Sequence, residues 1–170
     1  MKKNLSYLLT AALGVLIIAG VIFFITTNNK TTADTLSFET VNACNKLTLD
    51  EARTMLGSSA MKISKPATVR DDIQTSSCTY STDLTIATVT VRSPLHSTGL
   101  KSIENSFHGR MHHYQMISGY GHHAYFDDGT GELNVHDDGS WYTISLRATQ
   151  QPGSNNPLLE DKAVADKVFN

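Results

Sequence analysis

The chain has few of the residues that usually announce a chemistry. Of its 170 residues only two are cysteine, Cys44 and Cys78, one is tryptophan and four are proline. The cysteine spacing is not the Cys-x-x-Cys of a catalytic dithiol. There is no Gly-x-Ser-x-Gly turn to present a nucleophilic serine, no glycine loop to cradle a phosphate and no dinucleotide fingerprint. Gly119-Tyr120-Gly121 is too short for a phosphate loop. Basic charge is scarce: the formal net charge is −2, and with Lys2 and Lys3 set aside 12 Lys and Arg face 16 Asp and Glu. Such a balance offers no basic patch for nucleic acid. No internal repeat is present. From Asn4 to Asn29 charge is missing altogether.

That uncharged stretch predicts a membrane span. Leu5 to Ile25 covers about 32 Å as a helix at ~1.5 Å per residue, which matches a bilayer core. Lys2 and Lys3 precede it and Lys30 follows, so the positive-inside rule keeps the N-terminus in the cytoplasm. The apolar run exceeds the ~7–15 residues of a signal-peptide core, and Thr31-Thr32-Ala33 is a mediocre cleavage site. The expectation is therefore a single-pass transmembrane anchor over residues 1–29, a linker over 30–43 and an extracytoplasmic domain over 44–170. The expected location is the cell membrane, with that domain outside.

The domain reads as α+β. Thr48-Leu49-Asp50-Glu51 is a capping box, followed by the apolar face Leu49, Ala52, Met55 and Leu56, with Gly57 as a left-handed C-cap. In Ser58 to Ser77 Met61 and Ile63 alternate with lysines, whereas Pro66 and Asp71-Asp72 suggest a loop. Cys78 to Thr82 and Thr85 to Arg92 alternate as strands and predict a hairpin through Thr82-Asp83-Leu84, with a bulge near Ile86-Ala87. Pro94 stops the second strand. Leu100, Ile103, Phe107 and Met111 recur at helical spacing from about Ser97. Tyr120 to Phe126, Glu132 to His136 and Ser140 to Leu146 form a three-stranded meander, because Asp127-Asp128-Gly129 and Asp137-Asp138-Gly139 carry Asp-Gly turns. Trp141 is expected beside the sheet or at its rim. Asn156-Pro157 starts a last helix bearing Leu158, Val164, Ala165, Val168 and Phe169. The fold expected after the N-terminal transmembrane helix is one antiparallel sheet with packing helices.

Two features carry candidate chemistry. In an oxidising compartment, Cys44 and Cys78 are expected to pair, stabilising the domain by about 3–4 kcal/mol on the chain-entropy model. Seven histidines raise a metal alternative. His108 and His112 stand at i, i+4, but Gly109 replaces the glutamate of His-Glu-x-x-His. The pairs His112-His113 and His122-His123 diverge at neighbouring positions. His108, His112, His122 and His123 are thus the alternative ligand set, and no metal or cofactor is the leading expectation. The Asp-rich turns lack the ligand spacing of an EF-hand.

Cys44-Asn-Lys-Leu47-Thr48, Glu51-Ala52, Leu56-Gly57, Ser77-Cys78-Thr79-Tyr80, Ile117-Ser-Gly119-Tyr-Gly121 and Ala124-Tyr125 together resemble a family of uncharacterised actinobacterial cell-envelope lipoprotein domains. The resemblance covers Cys44 to Leu146 and implies an exported, disulfide-bonded α/β domain with no assigned catalysis. Two departures stand out: a membrane helix in place of the lipobox, and His122-His123 where the pattern has an acidic residue.

The expected function is binding rather than turnover: a tethered domain that takes an envelope protein or ligand, without nucleic acid. Tyr114, Tyr120, Tyr125 and Tyr142 lie in or near the predicted strands and are the candidate aromatic contacts, although some must be core. The alternative is an envelope metal-binding protein or metal-dependent enzyme using the histidines.

Overall fold

A computed structural model of the protein describes residues 38–148 and 157–169. The first elements are two short helices, α1 Ala43–Lys46 and α2 Leu49–Leu56. Asn42 starts α1 by accepting the Cys44 amide through its side chain. Both halves of the expected capping box start α2: Thr48 Oγ1 accepts the Glu51 amide and Glu51 accepts the Thr48 amide at 2.8 Å. Gly57 ends it at φ +106° and ψ +159°, outside the left-handed helical well expected there.

The chain then lays down β1 Met61–Arg70, β2 Ile73–Ser81 and β3 Thr85–Pro94 as consecutive antiparallel neighbours. β1 is fully formed where the sequence reads partly as loop. All ten of its residues are exposed, so no buried periodicity marks it. Pro66 falls in the register shift between Lys65 and Thr68, and an edge strand has no ladder bond to lose there. Asp71 and Asp72 make the tight β1–β2 turn, both with positive φ (51° and 60°), as a type I′ hairpin requires. The bulge expected near Ile86-Ala87 is absent: β2 and β3 pair without interruption from Ile73↔Pro94 to Ser81↔Ile86. Leu84 and Ile86 are simply exposed.

Helix α3, Ser97–Met111, follows Pro94. A second meander then runs through β4 Gln115–Ile117, β5 His123–Asp127, β6 Glu132–Asp137 and β7 Ser140–Ala148. It has one strand more than its turn signals indicate, because β4 is only three residues long. The last element, α4 Pro157–Phe169, forms where expected. All seven strands form one antiparallel sheet in the order β1-β2-β3-β7-β6-β5-β4, in which β3 and β7 join the two meanders.

Strand alternation divides the apolar residues between two faces. On one face Cys78, Tyr80, Val89, Val91, Leu133, Val135 and Ile144 pack with Ala43 of α1, Ala52 of α2 and Val164, Ala165 and Val168 of α4. Burying each of the valine, leucine and isoleucine side chains among them contributes roughly 1.5–3 kcal/mol before entropy. Cys44 and Cys78 form a disulfide that ties α1 to β2, as the sequence led us to expect. On the other face α3 packs Ile103 and Phe107 against Tyr125 and Trp141. The helix–sheet–helix arrangement is α+β.

The membrane anchor is a correction. Among the described residues no helix is long and apolar enough to cross a membrane. The longest, α3, has 15 residues, roughly 22 Å at 1.5 Å per residue against a ~30 Å core, and it carries Lys101, Glu104 and Arg110. The run Leu5 to Ile25 lies outside the described residues. Among the described residues the fold is accordingly α+β with no membrane-spanning helix, and they do not support the single-pass cell-membrane location.

Candidate functional site

α3 organises both groups of polar residues that the core does not explain. Phe107 is its central contact, with ring centroids 5.0 Å from Tyr125, 5.4 Å from His136 and 5.6 Å from Trp141. At about 100° per residue, His108 and Arg110 project to opposite flanks of Phe107. One flank is basic and the other is rich in imidazole.

On the basic flank the β3–β7 register places Arg92 directly beside Trp141. The Arg92 guanidinium carbon lies 4.6 Å from the centroid of the Trp141 ring, and that of Arg110 lies 5.7 Å away. Two cations thus share one indole. Each gains a cation–π attraction of about 0.5–2 kcal/mol, but they repel each other. Burial, then the charge of Arg110, pulls the Arg92 pKa down. Among the described residues no carboxylate lies within ion-pair distance of either guanidinium; Glu132, the nearest acid to influence Arg92, pairs with Arg147 at 3.6 Å. Tyr125 lies in the same field. Burial pushes its phenol up to about 12, while Arg110 and Arg92 both act to lower it.

The sheet beside these arginines is surfaced with hydroxyls and amides. The register puts Ser77, Thr90, Thr143 and Asn134 in one cross-strand row and Thr79, Thr88 and Ser145 in the next. All except the buried Asn134 are half-buried. Ser77 and Thr90 hydroxyls are 3.1 Å apart, and Thr79 and Thr88 hydroxyls 3.3 Å apart. Asn134 Oδ1 accepts from Trp141 Nε1 at 2.9 Å and from Thr143 at 3.2 Å. These bonds fix the indole and the floor together, so the surface is ordered before anything binds.

On the imidazole flank three rings from three elements approach one another: His108 of α3, His123 of β5 and His136 of β6. The His108 ring centroid is 5.4 Å from that of His123 and 6.3 Å from that of His136, and His123 and His136 are a registered pair. His136 is 9% exposed and its Nε2 is buried without a hydrogen-bond partner. Burial lowers its pKa, and His108, His123 and His122 add to the effect against Glu104. Gly121 lets the loop before β5 lie close against the backbone of β6. It has φ +49°, and a Cβ there would come within 2.7 Å of the His136 carbonyl oxygen, which already accepts the His122 amide at 2.9 Å.

Of the four histidines in the sequence-derived set, then, His108 and His123 come together. His112 stands exposed at the end of α3. His122 turns to Asp137, with Nδ1 3.2 Å from Oδ1, and together with Asp138 offers ligand atoms within 4.8 Å of one another. His136, the third ring, is absent from the sequence-derived set because it reads as the start of an Asp-Gly turn. Its partner was nevertheless legible: a hairpin closing Asp127 on Glu132 puts His123 opposite His136.

Of the four tyrosines named as candidate contacts, two are core. Tyr125 and Tyr142 are buried at 1% and 2% exposure. Tyr120 bonds Asp166 of α4 at 2.7 Å, and Tyr114 stacks on Tyr125 at 5.2 Å. These rings pack the fold. Compared with known proteins, the chain matches no family model, no curated protein and no solved structure.

Proposed function

We propose that the domain is a non-catalytic binding module for an anionic, hydroxyl-rich ligand, a sugar bearing a phosphate or carboxylate group, held on the sheet face beside α3. The observation that carries this reading is the pair Arg92 and Arg110 over Trp141 with no carboxylate among the described residues to neutralise them. Guanidinium is the side chain best suited to planar, paired recognition of phosphate or carboxylate. The neighbouring Ser77, Thr79, Thr88, Thr90 and Thr143 hydroxyls both donate and accept, as sugar hydroxyls do. A rigid, hydrogen-bonded floor lowers the ordering cost of binding. Binding rather than turnover is favoured because no nucleophile turn accompanies the arginines.

Calorimetry of the full-length chain with glucose 6-phosphate, glucuronate and glucose tests the reading. The two anions are expected to bind saturably and glucose not to bind, and Arg92→Gln/Arg110→Gln should abolish the signal. Equal binding of glucose, anion binding that survives in the double variant, or no saturable binding would overturn it.

A further inference from the structure

We propose that His108, His123 and His136 form a binding site for a divalent first-row transition-metal ion, Zn²⁺ or Cu²⁺, on the flank of α3 opposite the arginine pair. The proposal is independent of the anionic-ligand reading and rests on different residues.

Geometry is the first support. A tetrahedral Zn²⁺ holds imidazole nitrogens at about 2.0–2.1 Å, which sets the centroids of two ligating rings about 5 Å apart. His108 and His123 stand at 5.4 Å and His108 and His136 at 6.3 Å. His108 and His123 are both exposed, so the remaining gap falls to rotation of their side chains. The second support is the buried, unpartnered Nε2 of His136. A buried polar atom without a partner costs about 1–3 kcal/mol, and a metal ion on that nitrogen removes the cost. Third, the three rings come from one helix and two paired strands, the kind of rigid scaffold that holds a ligand set in place. Met111 adds a soft atom nearby, with its sulfur 3.0 Å from His108 Nδ1, which suits copper.

The competing cluster, His122 with Asp137 and Asp138, is less suited. Its ligand atoms already lie within 4.8 Å of one another, but they are one imidazole and two carboxylates, and the imidazole bonds Asp137. Chemistry also separates the two groups: imidazoles favour Zn²⁺ and Cu²⁺, whereas a site dominated by carboxylates favours Mg²⁺, Ca²⁺ or Mn²⁺.

The test is calorimetric titration of the full-length chain with Zn²⁺ and Cu²⁺, with Co²⁺ absorption as a second readout. One ion per chain and a tetrahedral Co²⁺ spectrum are expected. His108→Ala and His123→Ala, both at exposed positions, should each weaken binding more than about 100-fold, beyond the 10–100-fold typical of losing an outer partner. His136→Gln should do the same; should it fail to fold, the two exposed variants decide. His122→Ala should leave binding unchanged. Binding lost in His122→Ala and retained in the other variants would move the ion to the acidic turn and overturn the proposal, as would the lack of stoichiometric binding.

Discussion

The guanidinium carbon of Arg92 lies 4.6 Å from the centroid of the Trp141 ring, and that of Arg110 lies 5.7 Å from the same ring. The like charge makes Arg92 a weak contributor to folding despite its packing. Arg92→Met keeps the stem that covers the indole and removes the repulsion. Its stability is expected to stay within about 1 kcal/mol of the parent, since the lost cation–π term is about that size. Added pyrophosphate should raise the melting temperature of the parent by linkage and should not raise that of the variant. Thermal melts with and without pyrophosphate check both outcomes. A variant that is still stabilised would place the anion elsewhere.

The Cys44–Cys78 bridge joins residues 34 apart in sequence and anchors α1 to β2. Cys78 and Ala43 are both fully buried in the larger core cluster. Cys78→Ala should therefore destabilise the domain by roughly 2–5 kcal/mol, the usual loss for a native bridge. Urea unfolding gives the difference. Alkylation of the native protein should label no thiol before reduction.

Asp161 gives the domain a pH dependence. It is fully buried, and its Oδ1 accepts the Leu146 amide at 2.7 Å while Oδ2 has no partner. Burial pushes its pKa from the ordinary 3.8 to about 7; Glu160 and Glu132 add to the rise, and the bonded amides oppose it. The folded state therefore binds this proton more tightly than the unfolded state. The stabilisation is complete below the unfolded pKa and is lost as pH rises through the folded one. Stability should fall between about pH 4 and pH 7 with a slope approaching 1.4 kcal/mol per pH unit. Asp161→Asn keeps an acceptor for Leu146 without the charge. It should flatten that slope and be the more stable protein at pH 8. Parallel urea curves at pH 4, 6 and 8 check it, and identical slopes would count against the role given to Asp161.

Gly99 sets how closely α3 approaches the β1–β2 turn. A Cβ there would lie 2.2 Å from the Asp72 carbonyl oxygen, which accepts the Leu95 amide at 2.8 Å. Thr98 of the same helix turn bonds the Asp72 carboxylate. Gly99→Ala must shift the helix or the turn, an overpacking cost of about 1–3 kcal/mol. Gly109→Ala, with open space around its position, should instead be neutral or stabilising by up to about 1 kcal/mol. Chemical denaturation of the two variants separates these outcomes.

Local signals carried much of the fold. The Thr48–Glu51 capping box, the Ile103–Phe107 stripe and the Asp138-Gly139 turn each encode their element within a few residues, and each is found; the β5–β6 hairpin forms too, but its positive φ falls on Gly131 and not at Asp128-Gly129. β1 escaped because an exposed edge strand buries no alternating face, and because Pro66 and Asp71-Asp72 are equally good loop signals. The β3–β7 pairing that unites the two meanders is non-local, and no short pattern encodes it. The same reason hides the site. Arg92 and Arg110 are a strand residue and a helix residue, unremarkable until the β3–β7 register and the packing of Phe107 bring them to one indole. Which of the four tyrosines are core is hidden for a simpler reason: alternation tells which residues share a face, but not which face a helix will cover.

The central claim is that an anionic ligand binds at the arginine pair, and the chain carries its own reporter. Trp141 is the only tryptophan and lies beneath both guanidiniums. Titrating the full-length protein with glucose 6-phosphate while following tryptophan emission therefore reads the site directly. The account predicts a saturable change in emission that glucose does not produce, that weakens as salt is raised, and that disappears in Arg92→Gln/Arg110→Gln. Emission that stays constant through saturating ligand, or that changes equally with glucose, would contradict it.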